Sequence, residues 1–255
     1  MHYNQEDIEE SIRKLGIKSG DILFSHMNLG FFGIPNGGMT EDNLFNIFYN
    51  AIFNVLGKDG VLIVPTFTYS FSSEEKYFDI NKSPSKMGFF AEKLRALPNT
   101  IRTLDPMFSV AVAGNIKKLF PNNEIISTEC FGKGSIWDLM FKHNAKICNF
   151  NFDAGSTFIH YVEKMHNVHY RFDKTFYGIT KIDKKEVYHS IDFFCRKLKF
   201  NPDFTKFDRY VKKHNIAKSI KLGRGSIVSI SCKDTYNTFT KLYNKNKNIM
   251  IDYKE

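Results

Sequence analysis

The sequence predicts an α/β fold: a layered α/β/α domain with a mainly parallel central sheet and a strand-rich C-terminal excursion. Short apolar runs such as Ile22-Leu-Phe24 and Val61-Leu-Ile-Val64 alternate with stretches of helical periodicity as far as residue 152. That alternation is the pattern of buried strands between helices. Beyond His166 the segments shorten and become aromatic, with Tyr170, Phe172, Phe176 and Tyr177, which reads as further strands. The chain has neither an internal repeat nor a low-complexity linker, so residues 1–255 are expected to form a single domain.

Each element has its own signal. Ile8, Ile12 and Leu15 share a helical face between Asn4 and Leu15, and Gly16 to Gly20 ends that helix. Asp21 to His26 reads as a buried strand running into a loop whose glycines at 30, 33, 37 and 38 mark turns. Thr40 followed by Glu41 and Asp42 opens a helix that continues to about Leu56. Val61–Val64 is a strand ending at Pro65. Then come a helix over Met87–Leu97, a strand over Phe108–Ala113, a helix over Ser135–Phe141, a strand over 146–152 and a helix carrying His160. Two more helices are expected near 203–214 and 232–245. In parallel sheets ligands bind off the carboxyl ends of strands, which singles out His26, Thr66, Phe67 and Asp153.

Composition narrows the class. Of 255 residues, 42% are hydrophobic, ample for a core. No window approaches the roughly 20 apolar residues of a membrane span, and the polar start is not a signal peptide. Cys130, Cys148, Cys195 and Cys232 are scattered without C-x-x-C spacing, which implies neither a disulfide framework nor a zinc site. A cytoplasmic setting is expected. The net charge of +9 admits nucleic acid as a partner, but the basic residues are dispersed and no binding motif is present. An anionic small molecule is the other reading.

The segment Asp153-Ala-Gly-Ser-Thr157-Phe-Ile-His160-Tyr-Val-Glu163 carries the chemistry. Residues three apart are neighbours on a helix. A histidine placed so can take a proton near neutral pH. The carboxylate can orient the imidazole, raising its basicity, or hold a cationic amine. His160, Glu163, His166 and His169 recur every third residue, but each step drifts by about 60° on a helix, so they do not converge on a metal.

Several fragments recur in order: Gly20-Asp-Ile-Leu-Phe-Ser25-His26-Met-Asn28-Leu29, Gly60-Val-Leu-Ile-Val-Pro65-Thr66-Phe67-Thr68, Arg102-Thr-Leu-Asp-Pro106-Met-Phe-Ser109, Phe131-Gly-Lys-Gly-Ser135-Ile-Trp, Thr157-Phe-Ile-His160-Tyr-Val-Glu163 and Tyr170-Arg171-Phe-Asp-Lys174. Together they resemble the antibiotic N-acetyltransferase family typified by aminoglycoside 3-N-acetyltransferases. The resemblance implies acyl transfer from acetyl-CoA to a primary amine; no serine or cysteine is needed as a covalent carrier, so direct transfer is expected, without a metal. It implies His160 and Glu163 as the catalytic pair. Ser25, His26, Asn28, Thr66, Phe67, Arg102, Ser109 and Ser135 are implied on the CoA side, and Asp153, Thr157, Tyr170, Arg171 and Lys174 on the acceptor side. The chain departs from the family at Met27-Asn28, where two small hydroxyls are usual, at Leu104-Asp105, where the family carries a histidine before the proline, and at Ile136, which replaces a proline.

The acceptor is open between two kinds. Polycationic aminoglycosides suit an acidic cleft, whereas a nucleotide-linked amino sugar would be drawn to a basic surface. The +9 charge, with Arg171 and Lys174 just beyond the catalytic helix, favours an amino sugar of surface-glycan synthesis over antibiotic resistance. The sequence leaves the oligomeric state open, a homodimer being one option.

Overall fold

Side-chain caps start helices where the residue pattern puts them. In the computed structural model, which describes residues 2–121 and 127–253, Asn4 and Asp7 form a reciprocal capping box for α1 (Gln5–Lys14). Thr40 accepts from the Asn43 amide at the head of α2 (Glu41–Leu56). Then follow α3 (Phe89–Arg95), α4 (Ile136–Lys142), α5 (Phe158–Met165), α6 (Thr205–Lys213) and α7 (Cys232–Lys245).

The strands are β1 (His2–Tyr3), β2 (Ile22–Phe24), β3 (Ile34–Pro35), β4 (Val61–Pro65), β5 (Tyr77–Asp79), β6 (Ile101–Arg102) and β7 (Val110–Gly114). After these come β8 (Lys146–Phe150), β9 (Arg171–Ile182), β10 (Lys185–Arg196), β11 (Phe200–Pro202), β12 (Lys218–Leu222), β13 (Gly225–Ser231) and β14 (Ile251–Tyr253). Seven of them make the central sheet, in the order β12-β13-β8-β2-β4-β7-β6.

The α/β class matches the expectation, but the sheet is mixed rather than mainly parallel. β2 runs parallel to β8 and β4, while β12, β13, β7 and β6 all join antiparallel. Strands buried on both faces read as continuous apolar runs in either direction, so Val110-Ala-Val-Ala gives no directional signal. The β12–β13 hairpin is also absent from the sequence expectation. Gly225-Ser-Ile-Val-Ser-Ile-Ser does alternate like a strand, and Gly223 makes its turn at φ +55°.

Alternating side chains divide the core in two. Ile22, Phe24, Val61 and Ile63 face α4, α5 and α7 through Trp137, Met140, Phe158, Val162 and Phe239. Leu23, Leu62 and Val64 face α1, α2 and α3 through Ile8, Ile12, Phe48, Ile52, Phe90 and Leu94. The strand-rich excursion is the β9–β10 hairpin, twelve residues per strand with Arg171 opposite Arg196 at its base, and β5 pairs alongside it. The parallel trio β8-β2-β4 sends three loops from one sheet edge, carrying Asp153, His26 and Phe67.

Among the described residues, no helix is long and apolar enough to cross a membrane.

Candidate active site

The loop from β8 into α5 builds the site. Asn149, wholly buried at the end of β8, accepts from the His26 amide at 3.2 Å and donates to the Asp153 carbonyl at 2.7 Å. It thereby ties the β2 loop to the β8 loop. Thr157 precedes α5 without capping it; its Oγ1 lies 3.2 Å from His26 Nε2 instead. Phe158, Ile159 and Val162 bury the inner face of α5, which leaves His160 at the rim.

Glu163 Oε2 accepts from His160 Nδ1 at 2.8 Å. The carboxylate is 1% exposed, takes the Tyr170 hydroxyl on Oε1 at 2.9 Å and lies 2.7 Å from Arg171 Nε. His160, Tyr170 and Arg171 thus surround the buried carboxylate, the arrangement of a group that orients the imidazole. Burial would raise its pKa, yet Arg171, His160 and Tyr170 hold the carboxyl below its ordinary value.

Arg171 Nη2 also lies 2.8 Å from His160 Nδ1. One ring nitrogen cannot donate to a carboxylate and accept from a guanidinium together. The charged carboxylate selects the Nδ1–H tautomer, so the Arg171 contact is electrostatic and Nε2 keeps its lone pair. Burial first, then Arg171, depress the His160 pKa, and Glu163 pulls upward without prevailing. The carboxylate does raise this imidazole's basicity, as expected, but burial and Arg171 outweigh it. His26 is likewise held down, to about 4, by burial and by His160.

Two cavities meet here. One of about 450 Å³ is lined by Thr157, His160, Arg171, Arg196 and an aromatic wall of Phe67, Tyr69, Phe108, Phe193 and Phe204. The other, about 460 Å³, is lined by His26, Asn28, Lys86, Gly88 and Phe152 among others. The His26–Thr157 contact joins their walls.

The structure gathers His26, Asn28, Phe67, Thr157, His160, Glu163 and Arg171 around this junction. It takes others elsewhere. Arg102 donates to the carbonyls of Thr66 at 2.8 Å and Ser83 at 2.6 Å and to Ser109 Oγ at 3.1 Å. Thr66 and Ser109 bond each other at 3.1 Å. These three, expected on the CoA side, form a buried brace turned inward. Ser135 caps α4 by accepting from Asp138 N. Ser25 is wholly buried, its Oγ without a hydrogen-bond partner among the described residues. On the acceptor side, the Tyr170 hydroxyl is spent on Glu163, and Lys174 is exposed on the hairpin over Phe176. Asp153 lines a separate cavity of about 390 Å³ with Asp208, Arg209 and Lys212. His166 bonds Thr240 at 2.8 Å and His169 packs on Tyr170 and Phe200. Asn149, Arg196, Phe193 and Phe204 went unmarked in the sequence, because only the returning hairpin and α6 bring the last three to His160.

Residues 32–244 match the family described as aminoglycoside 3-N-acetyltransferase. The same fold recurs in solved structures. The aminoglycoside acetyltransferase AAC(3)-Xa superposes with a TM-score of 0.81 at 16% identity, over 97% of this chain and 94% of that one. AAC-IIIb in binary complex with CoASH gives 0.78 at 15% identity, over 96% and 98%. The YokD protein from Bacillus subtilis gives 0.75 at 18% identity, over 95% and 100%. Functionally curated protein sequences give no match. The chain belongs to the aminoglycoside 3-N-acetyltransferase family, and is an acetyl-CoA-dependent N-acetyltransferase.

Proposed function

We propose that this chain moves an acetyl group from acetyl-CoA to a primary amine of an amino sugar, with His160 as general base. One observation carries the reading: an imidazole lining a cavity while a buried carboxylate holds its Nδ1, which leaves Nε2 for the substrate. An ammonium has no lone pair for attack, so a proton must leave, and His160 Nε2 accepts it. Its depressed pKa keeps it unprotonated and ready at neutral pH. Positioned proton transfer of this kind is worth about 10²–10⁴-fold. Acetyl-CoA supplies the acyl group; His26, Asn28, Phe152 and the exposed Lys86 line the cleft that suits it, Lys86 being placed for its phosphates.

Aminoglycosides are the first acceptors to test. The family description supports them, as do neighbours solved with a gentamicin and with sisomicin. The nucleotide-linked amino sugar loses the footing expected at Arg171 and Lys174, since one charge is taken up by Glu163 and the other lies outside the cavity lining. The test is thiol release from acetyl-CoA with a panel of amines. Release that depends on the amine supports the reading; a panel giving only amine-independent hydrolysis overturns it.

A further inference from the structure

Arg196 ends β10 directly across from Arg171. Facing like charges repel, and among the described residues only one of this pair meets a carboxylate. Arg171 spends its charge on Glu163. Arg196 has no carboxylate within ion-pair distance among the described residues, and its one recorded bond is from Nη1 to the Phe200 carbonyl. Arg196, half-buried, lines the cavity that holds His160.

The remainder of that lining is aromatic and weakly polar. Phe67, Tyr69, Phe108, Phe193 and Phe204 supply it, and no Asp or Glu is among the described lining residues. A polycation entering would meet the charge of Arg196, Arg171 being already paired with Glu163, and no carboxylate among the described lining residues. A neutral amino sugar would strip water from Arg196 and return nothing, and an unpaired desolvated charge is costly. An acceptor with an anion of its own removes that cost. Phosphate and carboxylate both match the planar fork of a guanidinium, and aromatic faces suit the apolar side of a sugar ring or a base.

We infer that the acceptor is an amino sugar bearing an anionic substituent, phosphate or carboxylate, which pairs with Arg196 while its amine meets His160. This rests on the N-acetyltransferase reading above and narrows its acceptor away from polycationic aminoglycosides. Initial rates of thiol release at saturating acetyl-CoA would be compared for glucosamine, glucosamine 6-phosphate, a uridine-diphosphate-linked amino sugar with a free amine, an amino-uronic acid and gentamicin. At least one anionic acceptor should exceed glucosamine and gentamicin by ten-fold or more in kcat/KM, and the phosphate and carboxylate arms tell which anion is read. Arg196→Gln should collapse that ratio by raising KM for the anionic acceptor about ten-fold, and Arg196→Lys should keep part of it. Equal use of neutral and anionic acceptors, a preference for gentamicin, or a loss in Arg196→Gln shared equally by every acceptor would overturn the inference while leaving acetyl transfer to amines intact. Failure of every amine would instead sink the N-acetyltransferase reading, and this inference with it.

Discussion

Arg102 and Arg171 are buried alike, at 6% and 7% exposed, in two different surroundings. Around Arg102 the partners are main-chain carbonyls, a serine hydroxyl and the face of Phe78, 5.0 Å away. None of them changes charge, and together they pin the long excursion between β4 and β7 against the sheet. Around Arg171 the partners are a carboxylate and an imidazole at the edge of a cavity. There the guanidinium sets how tightly its neighbours hold protons. A buried arginine asks for oxygen atoms; whether those oxygens belong to a peptide or to an ionisable group separates a clamp from a piece of chemistry.

The sharpest way to test that contrast is at the imidazole itself. His160→Asn should lower kcat by about 10²–10⁴-fold, the range for a positioned base, with CoA affinity measured by calorimetry nearly unchanged. Retention of a tenth of the activity would remove His160 as the base. Next in size, Arg171→Met should destabilise the fold by about 3–5 kcal/mol, because it takes from the buried Glu163 carboxylate its permanent counter-charge; urea unfolding measures this. The same variant should shift the pH profile. His160 is depressed in the native protein, so wild-type kcat should fall only below the ordinary imidazole value of about 6.5. Removing the cation takes away one depressing influence and leaves Glu163 free to stabilise the imidazolium, which moves the acid limb of kcat to higher pH. An unmoved limb would mean that Arg171 acts only as a clamp.

At the other arginine the effects should be confined to stability. Arg102→Met should cost about 1–3 kcal/mol from carbonyls left unpaired, lowering Tm while the folded fraction keeps its kcat. A large drop in kcat per folded molecule, with CoA affinity lost, would return Arg102 to the CoA side. Ser109→Ala, which removes one hydroxyl from the brace, should cost about 1 kcal/mol and leave the kinetics alone.

The same contrast explains what could be read in the chain beforehand. Helix starts were legible because Asn4, Thr40 and Ser135 cap locally, and the His160–Glu163 pair because three residues on a helix fix a neighbourhood. The destinations of Thr66, Arg102, Ser109 and Tyr170 were not, since a buried polar residue looks the same whether it turns to a ligand or to a neighbour. Strand direction was hidden for a related reason: an apolar run has no arrow. Arg196 escaped notice because its place beside His160 depends on pairing with a strand that begins 25 positions earlier, at Arg171.

The β9–β10 hairpin places the two halves of the reaction on separable pieces of chain. His160, the proposed proton acceptor, stands on a helix rooted in the sheet, whereas Phe193, Cys195 and Arg196 come from a ribbon that reaches the cavity at its base. Between them Phe194 stays in the core and gives its carbonyl to Arg171 at 2.9 Å, the fastening that joins ribbon to base. A lineage can therefore exchange the guest by rewriting positions 193 and 195 and keep the proposed proton chemistry, provided that fastening is kept, whereas a change at Arg196 would also relieve part of the depression of His160.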